Sequence, residues 1–142
     1  MDLSQQKRRL LGRLRTGKSR KKEGLVLVEG LRAVKDAIDA GADVRFVVVS
    51  ERIDSTTAGL ELMEHIRKEN LDITSVSDND FETLADTTHP QGILMVCKER
   101  QEELPDVLRI GGCYLVLDGV QDPGNVGTLI RSACLLYTSP SP

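Results

Sequence analysis

The chain has 142 residues, 39% of them hydrophobic and 29% charged, with a formal net charge of −3. That is enough apolar material for one ordinary globular domain and too much for a disordered chain. No apolar run reaches the roughly 20 residues that span a bilayer, the charged N-terminus lacks the apolar core of a secretory signal, and three scattered cysteines and two isolated histidines suggest reduced thiols in a cytosolic protein rather than a disulfide or metal framework.

Charge is unevenly placed. Residues 1–22 carry nine Lys or Arg against one acid, Asp2, while the remainder carries ten against twenty-one. A basic N-terminal helix or arm on an acidic body suggests a polyanionic partner. Its contacts would be to phosphates, which position a protein without reading sequence. By itself such a run is more simply a solvated helix face or a frayed tail.

Leu3, Leu10, Leu11 and Leu14 give one narrow apolar stripe, so a helix is expected over residues 3–16. Gly17 and the run Lys18–Lys22 are expected to break it. Leu25–Val28 reads as a short strand closed by Glu29-Gly30. Leu31, Val34 and Ile38 share the next helical face, and Gly41 is placed to follow that helix as its C′ residue. Val44–Val49 is β-branched and apolar, a strand covered on both faces. A helix is expected over Ser55–Asn70, with Leu62 and Ile66 inward, and a strand over Asp72–Val76. Ser77-x-x-Asp80 resembles a capping box and starts a helix over 78–85. Thr88–Ile93 is a turn-rich approach to the strand Leu94–Cys97. Alternating strands and helices over residues 23–98 predict an α/β sandwich. Residues 99–109, polar, acidic and interrupted by Pro105, read as a linker.

After the linker, Cys113–Leu117 reads as a buried strand, Asp118–Asn125 as a polar loop, and Val126–Arg131 as the start of a helix. Strand, loop and helix place a site at the carboxyl edge of a sheet. Neither the P-loop nor the dinucleotide fingerprint occurs. Asp118-Gly119, Gln121-Asp122-Pro123, Asn125, Gly127 and Arg131 closely resemble the first motif of the SpoU (TrmH-like) RNA 2′-O-ribose methyltransferases. The segments SRKKEGLVLVEG and Pro90-Gln91-Gly92-Ile93 resemble the substrate-binding domain found ahead of the catalytic domain in many of these enzymes.

The resemblance implies a small α/β sandwich RNA-binding domain of ribosomal-protein type over residues 23–98. The first strand-loop-helix of a knotted SPOUT-type methyltransferase domain would follow over 110–133. It implies methyl transfer from S-adenosylmethionine to a ribose 2′-hydroxyl of ribosomal RNA, with transfer RNA as second choice, by a cytoplasmic homodimer without metal. Arg131 would activate or orient the ribose hydroxyl and Asn125 would shape the site. Asp118, Gln121 and Asp122 would brace the loop. Arg13, Lys18, Arg20, Lys21, Lys22, Glu29 and Gln91 would contact RNA, although Glu29 could simply be a charge at a helix start and Gln91 is more commonly a polar turn residue. The later motifs that build the methyl-donor site in this family do not occur, so no residue here is assigned to the cofactor and the chain alone is expected to be inactive. Residues 134–142 depart from the family and match one reading frame of a transposase sequencing adapter, so a non-native tail is expected there. Two alternatives remain: a non-catalytic RNA-binding protein, and an unrelated α/β enzyme.

Overall fold

The computed structural model describes residues 3–100, 108 and 110–138, with side chains to Leu135. The chain divides into two units, Met1–Arg100 and Gln101–Pro142. In the first unit the elements run α1 (Gln5–Leu14), α2 (Gly17–Glu23), β1 (Leu25–Glu29), α3 (Leu31–Asp39), β2 (Val44–Ser50), a 3-10 turn (Glu51–Ser55), α4 (Thr57–Lys68), β3 (Ile73–Val76), α5 (Asp78–Leu84) and β4 (Ile93–Lys98). The strands form one mixed sheet in the order β1-β4-β2-β3. β4 is antiparallel to both β1 and β2, with Leu27 opposite Val96 and Val48 opposite Leu94. β2 and β3 are parallel, as the intervening α4 allows.

Side chains alternate across the two central strands, and both sets are apolar. Val47, Val49, Ile93, Met95 and Cys97 pack with Val34 of α3 and Leu62, Met63 and Ile66 of α4. Phe46, Val48, Leu94 and Val96 pack on the opposite face with Leu3, Leu11 and Leu14 of the N-terminal segment and with Phe81 and Leu84 of α5. A strand apolar on both faces must be covered on both, so the result is a three-layer α/β/α arrangement. β2 carries a register shift between Val44 and Phe46. The extra residue is Arg45, which is exposed.

Local signals account for most element ends. Ser4, Thr16, Thr56 and Ser77 each accept a hydrogen bond from a first-turn amide. Ala40 closes α3, and Gly41 follows with φ +73, the left-handed C′ geometry its sequence position predicts. α1 ends at Leu14, so the expected break is present, but Gly17–Lys22 do not unwind: they form a second helix. Thr16 caps a second helix through the Ser19 amide, and the Arg20 guanidinium donates to the Leu14 and Arg15 carbonyls at 3.0 and 3.1 Å. The chain turns between α1 and α2 instead of unwinding.

The second unit contains one helix, α6 (Pro123–Thr138), among the described residues. The expected strand Cys113–Leu117 is not formed; residues 112–118 have no regular structure. Val116 is 84% exposed and Leu115 47%. A strand needs a hydrogen-bonded neighbour, and no described residue of this unit supplies one. Most of the expected linker, residues 101–107 and 109, lies outside the described residues. Of the expected non-native tail, residues 134–138 continue α6 and residues 139–142 lie outside the described residues.

Phe81 is 1% exposed in the face built by α1 and α5. Phe81→Ala is expected to cost about 3–5 kcal/mol, read as a lower urea midpoint; a loss under about 1 kcal/mol would contradict this packing. Asp78, at the start of α5, is held below the usual carboxylate range, chiefly by the nearby Ser50 hydroxyl and also by the Arg52 amide at 3.1 Å and the Arg52 charge. A depressed folded-state pKa adds stability that is complete above the unfolded pKa and is lost as pH falls through the folded value. Asp78→Asn should therefore flatten the decline of stability in acid, measured by urea unfolding between about pH 5 and pH 2. An unchanged profile would remove Asp78 from that role.

Candidate functional site

The segment Asp118–Arg131 is organised by its helix start. The Asp122 side chain accepts from the Asn125 amide at 2.9 Å, and the Asp122 carbonyl accepts from the Val126 amide at 3.1 Å. Asp122 therefore acts as the N-cap and Pro123 occupies N1, where its missing N–H costs nothing. This corrects the expected loop: α6 starts at Pro123, not Val126, and Asn125 lies in its first turn. The Asp-Pro pair was the signal for that start. Asp118 and Gln121 are exposed and make no side-chain hydrogen bond among the described residues, so Asp122 is the group that braces this turn.

Arg131 folds back along α6. Its guanidinium donates to the Thr128 hydroxyl at 3.2 Å, and that hydroxyl donates to the Gly124 carbonyl at 2.9 Å. A Cβ at Gly127 would lie 3.4 Å from Arg131 Nη1, so glycine leaves the guanidinium room to lie against the helix. Sequence reasoning missed Thr128; the 124-128-131 spacing along one helical face was the available signal. Asn125 and Arg131 each stand three residues from Thr128, roughly 60° to either side of it around the helix. The pair thus flanks Thr128 and does not share one face.

The RNA-contact candidates of the first unit fall into three sets. Arg13 pairs with Glu23 at 3.2 Å, and Arg20 caps α1 through the Leu14 and Arg15 carbonyls. Lys18, Lys21 and Lys22 are exposed on α2 with no side-chain partner among the described residues. Glu29 and Gln91 sit together where β1 meets α3. The Glu29 carboxylate accepts from the Asp86 amide at 2.9 Å and from the Thr87 hydroxyl. The Gln91 side-chain oxygen accepts from the Leu31 amide at 2.9 Å, satisfying an open donor at the start of α3.

These bonds fix the 86–91 loop against the sheet. Arg15 anchors the end of α5 that leads into this loop, donating to the Thr83 and Ala85 carbonyls at 2.8 and 3.3 Å and pairing with Asp86 at 3.1 Å. Thr88 and His89 remain exposed at its tip. Among the described residues no three His, Cys, Asp or Glu side chains cluster as a metal site, and no helix is long and apolar enough to cross a membrane.

Residues 6–95 match the model of the MRM3-like substrate binding domain. The chain is 32% identical over 121 residues to the 23S rRNA (guanosine(2553)-2′-O)-methyltransferase RlmP of Bacillus subtilis, covering 85% of this chain and 44% of that protein. An rRNA methyltransferase from Sinorhizobium meliloti superposes with a TM-score of 0.72 at 25% identity, covering 97% of this chain and 51% of that one. The SpoU methyltransferase AviRb from Streptomyces viridochromogenes, solved in complex with AdoMet, shares the fold with a TM-score of 0.64 at 19% identity, over 94% and 49% of the two chains. The chain thus spans about half the length of these relatives. With a substrate-binding domain matched over most of its first unit and the Asp122–Arg131 helix start in its second, the chain belongs to the SpoU (TrmH-like) family of RNA 2′-O-ribose methyltransferases.

Proposed function

We propose that this chain acts as part of an enzyme that methylates a ribose 2′-hydroxyl of ribosomal RNA with S-adenosylmethionine as donor. The observation that carries the reading is the Arg131–Thr128–Gly124 arrangement on a helix capped by Asp122, together with a matched substrate-binding domain in the same chain. Ribosomal RNA is favoured over transfer RNA because the named relatives RlmP and the S. meliloti enzyme act on ribosomal RNA. A knotted catalytic domain, a cytoplasmic location, a homodimeric assembly and a reaction without metal complete the proposal.

The described residues of the second unit do not by themselves fit the donor. All are exposed or half-buried to Leu135, so they enclose no cavity that could hold a methyl group in line. No step is derived through the donor. What these residues can do is electrostatic. Arg131 keeps its proton, so it stabilises negative charge developing on the ribose oxygen or orients the adjacent phosphate. Thr128 fixes the guanidinium through a hydrogen bond. Asn125 offers an amide on the flank of the same helix. A second reading is an RNA-binding protein without catalysis, supported by the matched substrate-binding domain alone.

The deciding experiment measures methyl transfer to ribosomal and transfer RNA by the full-length gene product. Arg131→Ala is expected to lower turnover about 10²–10³-fold, the usual effect of losing one stabilising donor, while RNA affinity stays within about twofold. Lost binding with unchanged turnover of bound RNA would contradict the assignment of Arg131. Binding without transfer by the native protein would establish the second reading, and methylation confined to transfer RNA would overturn the choice of substrate.

A further inference from the structure

The nine cations of residues 1–22 are sorted by the fold into two groups. Five are bound internally. Lys7 reaches Asp72 at 2.8 Å and Thr74 at 3.2 Å, and Arg8 reaches Asp80 at 3.4 Å. Arg13 pairs with Glu23, Arg15 with Asp86, and Arg20 caps α1. The other four, Arg9, Lys18, Lys21 and Lys22, are exposed and have no side-chain partner among the described residues. Lys18, Lys21 and Lys22 stand at i, i+3 and i+4 and share one face of α2. Arg9 lies one turn before Arg13 on the exposed face of α1; Glu23, the α2 partner of Arg13, lies roughly opposite the three lysines around α2, so Arg9 is not joined to their face.

Like charges at these spacings destabilise a helix, and α2 has no acid in its first turn to offset them. The body beyond residue 22 is acidic, with twenty-one acids against ten bases. A polyanion is therefore attracted to this face and repelled elsewhere. α2, GKSRKKE, carries no large apolar residue to insert into a bilayer. Phe46 and Phe81, the only Phe, Tyr or Trp rings among residues 3–100, are buried, so this unit offers no surface ring of that kind for a base to stack on.

We propose that Lys18, Lys21 and Lys22 form one phosphate-gripping face that holds the backbone of an RNA strand without reading its bases. Arg13 and Arg20, expected from sequence to share that role, are framework residues. This inference rests on the reading of the partner as RNA. Neighbouring positions on α2 hold their Cβ atoms roughly 5–6 Å apart, and lysine arms from them reach successive phosphates of one strand. Such a grip fixes register, and specificity then belongs to other parts of the enzyme.

The test is the salt dependence of binding by the 142-residue chain to two fluorescent probes, an oligouridylate of about 20 nucleotides and a ribosomal RNA hairpin. The combined variant Lys18→Gln, Lys21→Gln, Lys22→Gln should reduce the slope of log K against log salt by about 2 on both probes, at about 0.7 per single-strand contact. The combined variant Lys18→Arg, Lys21→Arg, Lys22→Arg should keep the slope. Arg20→Gln should keep it too while lowering the melting temperature. An unchanged slope in the Gln variant, with RNA still bound, overturns this face and leaves the RNA reading standing. A loss confined to the hairpin overturns binding without base reading. No binding to either probe by the native chain overturns both the face and the RNA reading. Binding to phosphatidylserine vesicles with none to RNA does the same, and assigns the cations to a membrane.

Discussion

The constraint on which the first unit depends is that β2 and β4 are apolar on both sides. Val47, Val49, Ile93 and Met95 on one face and Phe46, Val48, Leu94 and Val96 on the other are at most 4% exposed. Neither face can be left to water, because each buried side chain of this size contributes about 1.5–3 kcal/mol. α3 and α4 cover one face. α5 is short, with Phe81 and Leu84 its buried anchors, and the second face is completed by Leu3, Leu11 and Leu14. The N-terminal helix is thus part of the core, although it carries much of the chain's positive charge.

That dual role sets the electrostatics. Once its leucines face the sheet, α1 holds Lys7 and Arg8 beside Asp72 and Asp80. Lys7 also lies 4.8 Å from the centre of the Phe46 ring. α2 has no buried residue and follows as a capped, solvated turn whose lysines face outward. Exposed ion pairs of this kind each contribute little to stability. Their larger effect is to use up some cations and leave others free. The same economy holds at the loop 86–91, where Glu29, Gln91 and Arg15 serve the backbone and leave Thr88 and His89 at the surface.

In the second unit a short local code does most of the organising. Asp122 and Pro123 start α6, and Gly124, Gly127, Thr128 and Arg131 then follow at helical spacing. This explains how a guanidinium adopts a defined position on an exposed helix. The hydrogen bond to Thr128 fixes the direction of the guanidinium along the helix.

Periodicity, caps and motif spacing were legible in the sequence. The apolar runs of residues 44–49 and 94–97, the Ser77 cap, Gly41 and the Asp118–Arg131 pattern predicted the mixed α/β unit and the segment that carries Arg131, because these signals act within one turn or one strand. Three features were decided only by tertiary structure or by capping contacts that composition does not reveal. Residues 17–23 became helical because Arg20 and Thr16 satisfy the backbone at the α1–α2 junction. Residues 113–117 formed no strand because a strand is defined by its neighbour. The partition of basic residues into framework and free surface depended on which acids and carbonyls the fold brought within 3–4 Å, such as Glu23 for Arg13 and Asp86 for Arg15. A sequence records that a charge exists; only the folded chain determines whether that charge already has a partner.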